Sequence, residues 1–279
     1  MLRLTLLALF LVVSGASAQT PPRFKFVAGQ RLAYVVEQQT TVVETTIEDN
    51  QPTTSMTVNK LDLRKLWTVK TVSPENIAAL ELTITSMKNS IARNGPKDKD
   101  GKPTIDRTVI DSGTEEGKAA TAAFLNKVIL IIGMDELGRI TEAKGANPTA
   151  AERLNQELPF RIVFPRNKPL PGQTWERTFE MKSPAGTGEK YDFIQTFSSK
   201  PAANGLTVFG METKLKAEPK DAAELPPLIP VLWSGEVFWN AADGSYVGAK
   251  LAIEREIDKH QGEGSKFRFE SRYTETLEK

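Results

Sequence analysis

The most constraining feature of this chain is the alternation of apolar and polar residues in runs that recur along most of its length. Leu80, Leu82 and Ile84 alternate with polar residues, and Phe267 and Phe269 do the same near the other end of the chain. A period of two is typical of a strand with one buried and one solvated face, which is the pattern of antiparallel sheets. The sequence therefore predicts a mainly β protein.

The chain divides into two halves that begin in the same way. Gly29-Gln30 and Gly172-Gln173 each open a run of strand-forming residues, and each half ends with an acidic turn and a return strand. This order predicts two related antiparallel curved sheets or incomplete barrels, an N-terminal β half at 19–157 and a C-terminal β half at 158–279. The first half is longer because it carries a loop and helix insertion at 93–126. The alternative is that glycine turns precede strands in any β protein.

Two short helices are predicted to lie against the strands. Asn147 and Pro148 supply an N-cap and a first-turn proline, and the apolar residues that follow share one helical face. Thr114 is placed to cap a second helix, which begins at Glu115 and carries a narrow apolar stripe. The run from Arg31 to Ile47 exceeds the usual strand length of about 5–6 residues, which predicts a long, bent strand.

Residues 1–18 have the features of a secretory signal peptide. Arg3 precedes an apolar run from Leu4 to Val13, and Ala16-Ser17-Ala18 supplies the small residues of a cleavage site. A membrane anchor is the alternative, but the run is shorter than the about 20 residues that a spanning helix needs. We therefore expect an exported protein of the periplasm or extracellular space that does not span the membrane after signal cleavage.

Cysteine is absent and histidine occurs once. The absence of cysteine excludes disulfides, thiolate metal sites and a lipid anchor on an N-terminal cysteine. A single histidine argues against a zinc site, so neither a metal nor a cofactor is predicted. Without Arg3 the mature chain carries 35 basic and 35 acidic residues. We therefore expect no bulk attraction to nucleic acid.

The sequence carries no strong catalytic signature. His260 lies in a glycine-rich turn, where we expect a solvated histidine rather than the base of a triad. Asp111, Asp135 and Asp243 lie at turns, where an aspartate accepts hydrogen bonds from local amides. Because carboxylates are numerous, a carboxylate-based hydrolase acting on envelope polymers is the alternative function, and it requires two acids facing each other across a cleft.

The largest apolar cluster outside the signal peptide surrounds two tryptophans. Trp233 and Trp239 flank a short strand, and Leu228 and Ile229 lie among prolines in the loop before it. Such a cluster either packs against the core or forms the wall of a hydrophobic groove. We name these four residues as the candidate ligand-binding site, and we name no catalytic residue.

Five short motifs follow one another in an order that covers nearly the whole mature chain. They are Gly29-Gln30 after Phe24-Lys25-Phe26, Val109-Ile110-Asp111-Ser112 before a helix, Met134–Ile140 leading to Lys144-Gly145, Pro171–Trp175, and Gly235–Trp239 through Asp243-Gly244. In this order they resemble a family of secreted bacterial proteins known as domain of unknown function 6263, in which an acid is commoner than the glutamine found here after each starting glycine. The resemblance implies export and a β-rich fold, and it brings no catalytic residues.

These observations favour a non-catalytic envelope binding or scaffold protein. Its expected partner is an apolar ligand or a protein of the cell envelope. The apolar cluster at Trp233 and Trp239 is the feature that points to an apolar ligand.

Overall fold

The computed structural model describes residues 21–97, 103–145, 153–154, 156–167, 169, 171–183 and 188–278. The predicted signal peptide and most of the predicted helix after Asn147 lie outside these ranges. Of that helix, residues 153, 154 and 156 are helical, and the Glu157 amide donates to the Arg153 carbonyl at 2.8 Å. Within the described ranges, no helix is long and apolar enough to cross a membrane.

Twelve strands, two short helices and two short 3-10 turns make up the regular structure of the described residues, and of the second helix only residues 153, 154 and 156 are described. The strands are β1 Arg31–Glu48, β2 Gln51–Val72, β3 Ala78–Lys97, β4 Pro103–Asp111, β5 Val128–Met134, β6 Ile140–Gly145, β7 Thr174–Lys182, β8 Lys190–Ala203, β9 Leu206–Leu215, β10 Ser234–Asn240, β11 Ser245–Asp258 and β12 Lys266–Leu277. The first helix is α1 Glu115–Thr121, and the 3-10 turns are Ala222–Glu224 and Pro226–Val231. Strands take up 62% of the described residues, so the prediction of a mainly β protein is confirmed.

All of these strands belong to one antiparallel sheet, which is not closed into a barrel. The strand order is β6-β5-β3-β2-β1-β12-β11-β10-β9-β8-β7, with β4 paired to β3. The structure therefore has one continuous sheet where the sequence predicts two. The join lies between β1 and β12, which pair in register from Tyr34–Leu277 to Thr45–Lys266. Without this pairing both strands would present unsatisfied backbone edges.

The strands nearest the N-terminus are unusually long. β1, β2 and β3 contain 18, 22 and 20 residues, which confirms the predicted long strand from Arg31. Asp49 and Asn50 connect β1 to β2, and both have positive φ (50° and 60°), as a two-residue hairpin turn requires. Close pairing is thereby maintained from the hairpin tip to the start of β1.

The predicted insertion at 93–126 contains the end of β3, strand β4 and helix α1. The Gly117 amide donates to the Thr114 Oγ1 at 3.1 Å, so the predicted N-cap is confirmed. The boundaries of the two halves and their descent from one repeat stay predictions.

The core lies on one face of the sheet, which we call the core face. Its base is formed by Tyr34, Trp67, Phe209, Trp239 and Tyr246, each 3% exposed or less, and we call these five side chains the aromatic floor. They come from β1, β2, β9, β10 and β11, and therefore from both predicted halves. The two halves thus share one core.

An irregular segment, residues 156–164, covers the aromatic floor, and we call it the strap. Its apolar side chains Leu158, Phe160, Ile162 and Phe164 are each 6% exposed or less. From residue 158 on, the strap belongs to the proline-rich run 158–171, which is predicted to join the two halves because of its position between them. The structure instead makes it the second layer of the core.

Candidate functional site

The four residues of the predicted ligand-binding site are all buried. Trp233 is 5% exposed, and Trp239, Leu228 and Ile229 are fully buried. Trp239 packs edge-on against Phe164 of the strap, with 4.8 Å between the ring centroids. The four side chains lie inside the core and do not line an open groove, and their role in binding a ligand stays a prediction.

The strap contacts the aromatic floor chiefly through Phe160. The centroid of its ring lies 5.7 Å from the rings of Trp67 and Tyr246 and 6.1 Å from that of Tyr34. Phe164 makes the corresponding contact with Phe209, at 5.4 Å. Because aromatic side chains bury large apolar areas, these two rings help to hold the strap on the aromatic floor.

Among the described residues, few backbone hydrogen bonds join the strap to the rest of the protein. The Phe164 amide donates to the Leu137 carbonyl at 2.7 Å, and Trp175 Nε1 donates to the Val163 carbonyl at 2.6 Å. Arg161 adopts a positive φ of 58°, a conformation that is costly for a residue with a side chain. The strap is therefore held by side-chain burial and only weakly by its backbone.

A buried carboxylate lies beneath the strap. The hydroxyl groups of Tyr246 and Tyr273 donate to Glu275 Oε2 at 2.8 Å and 2.7 Å. Lys65 forms an ion pair with the other carboxylate oxygen. The Tyr34 hydroxyl donates to the Tyr246 carbonyl at 3.1 Å, which adds a third tyrosine to the network.

Glu275 stays ionised in this environment. Burial alone would raise its pKa, but the charges of Lys65 and Arg161 and the hydrogen bond from Tyr273 outweigh that effect and lower the pKa of the carboxyl. A completely buried charge is tolerated only when it is paired and hydrogen-bonded, as it is here.

The buried tyrosines give a prediction for alkaline solution. Burial raises the pKa of Tyr34, Tyr246 and Tyr273 well above the ordinary value, and the charge of Glu275 adds to the rise. Each of these tyrosines has a higher pKa in the folded state than in the unfolded state. Its contribution to stability is therefore complete below the unfolded-state pKa of about 10, and it is lost as the pH rises through the folded-state pKa. We expect the free energy of unfolding to fall by up to about 1.4 kcal/mol per pH unit for each buried tyrosine.

Urea unfolding at a series of pH values above neutrality measures this slope. Tyr273→Phe should make the slope shallower, because one fewer buried hydroxyl then resists ionisation. Phenolate absorbance that appears at about pH 10 while the protein is still folded would contradict the prediction.

Two sets of polar side chains lie on the core face, one on β7, β8 and β9 beside a second apolar cluster and one on β1 and β12. Arg177 Nε donates to Gln195 Oε1 at 2.7 Å, and Gln195 Nε2 donates to Thr213 Oγ1 at 3.0 Å. Toward the centre of the sheet, the hydroxyl groups of Thr40 and Ser271 lie 2.8 Å apart. The pairs of each set follow the register of neighbouring strands, and we call the two sets together the polar belt.

Two buried N–H groups beside Tyr273 have no acceptor among the described residues. They are Arg161 Nε and Trp233 Nε1. The Arg161 guanidinium lies over the Tyr273 ring, with Cζ 4.5 Å from the centroid, and the Trp233 ring centroid is 5.8 Å from the same ring. A buried donor without an acceptor costs about 1–3 kcal/mol. Glu275 Oε1, which forms the ion pair with Lys65, is likewise without a hydrogen bond among the described residues, so this region holds unsatisfied donors and an unsatisfied acceptor. Trp67 Nε1 and Trp239 Nε1 in the aromatic floor are likewise without acceptors in the described part.

Two open clefts lie on the surface of the sheet, and their linings mix polar and apolar residues. The cleft beside α1 has a volume of about 590 Å³, and its lysines are paired with acids: Lys88 Nζ lies 3.2 Å from Asp111, and Lys118 Nζ lies 2.6 Å from Glu115. The second cleft, of about 420 Å³, is lined by Glu37, Gln38, Gln39, Thr41, Lys60, Asp62, Glu270, Ser271, Arg272 and Thr274. The cleft beside α1 also presents Val35, Leu63, Met87 and Leu125, so apolar surface contributes to its lining.

The predictions for acidic residues are confirmed at two turns. Asp111 Oδ1 accepts from the Gly113 amide at 2.9 Å, and Asp135 Oδ1 accepts from the Leu137 and Arg139 amides at 3.0 Å and 2.9 Å. The described residues contain no group of three or more His, Asp or Glu side chains that could hold a metal ion.

The prediction for His260 is wrong. The imidazole is 3% exposed, and its Nε2 lies 2.9 Å from Glu44 Oε1. The turn between β11 and β12 packs back against β1, and the ring lies 5.7 Å from that of Phe267. A turn residue becomes buried here because the long strands bring the carboxylate of Glu44 next to it.

The sequence reasoning did not select Phe160, Arg161 or Glu275. A signal was present for two of them. Leu158, Phe160, Ile162 and Phe164 keep the period of two inside the proline-rich segment, which indicates one buried side. In β12, Glu275 follows Phe267, Phe269, Ser271 and Tyr273 on the inward-facing positions, so its burial was readable.

Comparison with known proteins gives no family for this chain. No family model matches the sequence, and no curated protein sequence matches it. Among solved structures, one described under lipid–protein interactions in lipovitellin matches with 14% identity and a TM-score of 0.48. The match covers 91% of this chain and 26% of the lipovitellin chain, so this chain spans about a quarter of that protein.

Proposed function

We propose that this is an exported, non-catalytic binding protein whose core face holds an apolar ligand beneath the strap. The observation that carries the proposal is the filling of the aromatic floor by an irregular segment. The strap has no regular structure and few backbone hydrogen bonds. The free energy needed to open such a segment locally is lower than that needed to open a paired strand.

A ligand with an apolar chain can replace the strap at little net cost. The floor loses the contacts of Phe160 and Ile162 when the strap moves outward, and it gains equivalent contacts with the chain of the ligand. Apolar burial contributes about 25 cal/mol per Å² whichever group provides it. The strap then lies over the bound chain as a lid.

Location and family are part of the proposal. The signal-like residues 1–18 support export to the periplasm or extracellular space, and the order of the five motifs supports membership in the family of unknown function named above. A protein of the envelope is the other partner that the sequence favours, and the exposed apolar residues Ile105 and Val109 on edge strand β4 would suit it.

Native mass spectrometry of the protein purified from its own host tests this function. We expect an added mass of one small apolar molecule that organic solvent removes and an added neutral lipid probe restores. A protein that carries no small molecule and retains no probe would contradict the proposal.

A carboxylate-based hydrolase is the second candidate, and one arrangement favours it. Glu189 Oε2 and Glu224 Oε2 lie 2.9 Å and 2.8 Å from the Tyr191 hydroxyl oxygen. The two carboxyl groups are therefore within about 6 Å of each other, near the spacing of retaining glycosidases. Neither acid lines the two clefts described above. Hydrolysis of envelope polysaccharide that is lost in Glu224→Gln, with the fold intact, would support this candidate, and equal activity in the variant would exclude the pair.

A further inference from the structure

Residues 23–26 run between two turns and contact the strap, and we call them the clasp. The Phe24 amide donates to the Glu136 carbonyl at 2.8 Å, and the Lys25 amide donates to the Gly244 carbonyl at 3.0 Å. Glu136 lies in the turn between β5 and β6, and Gly244 lies in the turn between β10 and β11. The clasp therefore connects turns that lie on opposite sides of the join between β1 and β12.

The ring of Phe24 connects the strap to the aromatic floor. Its centroid lies 5.5 Å from that of Phe160 and 5.6 Å from that of Phe164, the two aromatic rings of the strap. It also packs edge-on against Trp239 of the floor, with 4.7 Å between the centroids. Phe24 is buried, so these contacts are removed from water. The strap can leave the floor only if it gives up its contacts with Phe24 or if the clasp moves with it.

The other contacts of the clasp are polar and lie near the surface. Arg23 Nη1 lies 3.0 Å from Glu136 Oε1, and Arg23 Nη2 donates to the Arg166 carbonyl, two residues beyond the strap, at 3.2 Å. Lys25 Nζ donates to the Ala242 carbonyl at 3.1 Å. Because the ion pair is partly exposed, it adds little stability. The clasp is therefore held mainly by one buried ring, and a small displacement can release it.

Two glycines leave the space that the clasp and the strap occupy. A Cβ atom at Gly244 would lie 2.7 Å from the Arg23 carbonyl oxygen. A Cβ atom at Gly138 would lie 2.8 Å from Phe24 Cε2 and 2.7 Å from the Ile162 carbonyl oxygen of the strap. Neither glycine can gain a side chain unless the clasp or the strap moves.

We infer that the clasp is a lock on the strap, which keeps the ligand site closed while the clasp is docked between the two turns. The inference rests on the proposed function and specifies how access to that site is regulated. Contacts between clasp and strap exist while the strap lies on the floor, so they stabilise the closed state relative to the open state. A ligand that binds only the open state has an apparent dissociation constant that rises as the open fraction falls. Release of the clasp should therefore tighten ligand binding.

Gly244→Ala tests the inference, and Gly205→Ala is its matched control. Both glycines lie in turns between neighbouring strands and have positive φ (61° and 76°), so both variants carry similar backbone strain. A Cβ atom meets the clasp at Gly244, whereas one at Gly205 has nothing within 4 Å beyond its chain neighbours. Only the first variant should displace the clasp.

Hydrogen exchange of the unliganded mature protein measures the opening of the strap. A peptide covering residues 156–164 should exchange roughly tenfold faster in Gly244→Ala than in Gly205→Ala, since one or two aromatic pairs contribute about that factor. A peptide from β12 should exchange at the same rate in both variants, because its pairing with β1 does not involve the clasp.

Fluorescence titration of the same proteins with cis-parinaric acid, a fatty acid whose fluorescence reports binding, measures access to the site. We expect Gly244→Ala to bind the probe roughly tenfold more tightly than Gly205→Ala and the unmodified protein. Phe24→Leu keeps an apolar side chain and removes the aromatic contacts with the strap. It should shift exchange and affinity in the same direction, and it replaces Gly244→Ala if that variant does not fold.

Equal exchange of the strap in the clasp variants and the control would overturn the inference. If the strap exchanges faster but the probe binds every protein with one affinity, the clasp does not regulate the site, and the inference fails while the proposed function stands. If none of the proteins binds the probe, the proposed function fails and the inference about access fails with it.

Discussion

Replacing Phe160 with alanine is expected to lower the free energy of unfolding by about 3–5 kcal/mol, the cost of removing a buried phenyl ring from a packed core. Phe160 is 1% exposed and touches the rings of Trp67, Tyr34 and Tyr246. Urea unfolding followed by tryptophan fluorescence measures the loss, and Trp67 reports directly on the layer that is disturbed.

The matched control for Phe160→Ala is Val27→Ala. Val27 is 66% exposed, so its truncation should change stability by no more than about 0.5 kcal/mol. If Phe160→Ala proved as mild as the control, the strap would not be a structural layer of the core.

Replacing Glu275 with glutamine is expected to lower the free energy of unfolding by about 3–5 kcal/mol at neutral pH, because Lys65 then keeps a largely buried charge without a counterion. The folded-state pKa of Glu275 is lowered, so its stabilisation is complete above the unfolded value of 4.5 and is lost as the pH falls through the folded-state pKa. The difference between the two proteins should therefore shrink in acid.

The control for Glu275→Gln is a double variant with Lys65→Met. Removing both charges leaves no uncompensated ion, so the double variant should be more stable than Glu275→Gln alone. Additive losses in this cycle, or a difference between the proteins that stays constant as the pH falls, would show that the ion pair does not govern the stability of the cluster.

The fold class was predictable from the sequence because each strand carries its own period of two. The runs at Leu80–Ile84 and Phe267–Phe269 lie in β3 and β12, as predicted. Thr114 likewise identified α1, since an N-cap depends on residues three positions apart. The period of two and the N-cap can each be recognised within one segment of the sequence, without knowing which strands that segment will contact.

The single sheet was not predictable in the same way. The pairing of Tyr34 with Leu277 joins residues at opposite ends of the chain, and nothing within either strand specifies its neighbour. The repeated order of motifs therefore predicts two sheets. The first strand, β1, and the last strand, β12, nevertheless pair with each other, and their pairing joins the two predicted sheets into one.

The candidate site was only partly predictable. Trp233 and Trp239 were selected for apolarity, and the structure places Trp233 beside the polar belt and Trp239 under the strap. The prolines at 159 and 165 indicate a linker, because proline has no amide N–H to donate to a neighbouring strand. They are equally compatible with the strap, which packs through its side chains and does not pair with a strand. The partners of Arg161 and Glu275 lie on distant strands, so their charges could not be matched from the sequence.

Hydrogen exchange of the strap, followed by mass spectrometry with and without cis-parinaric acid, tests most directly whether a ligand takes its place. We expect a peptide covering residues 156–164 to exchange faster when the probe is bound, because the hydrogen bond from the Phe164 amide to the Leu137 carbonyl opens. A peptide from β1 should be unchanged. If the probe binds while the strap exchanges at its original rate or more slowly, the ligand lies elsewhere and the strap is a fixed part of the core.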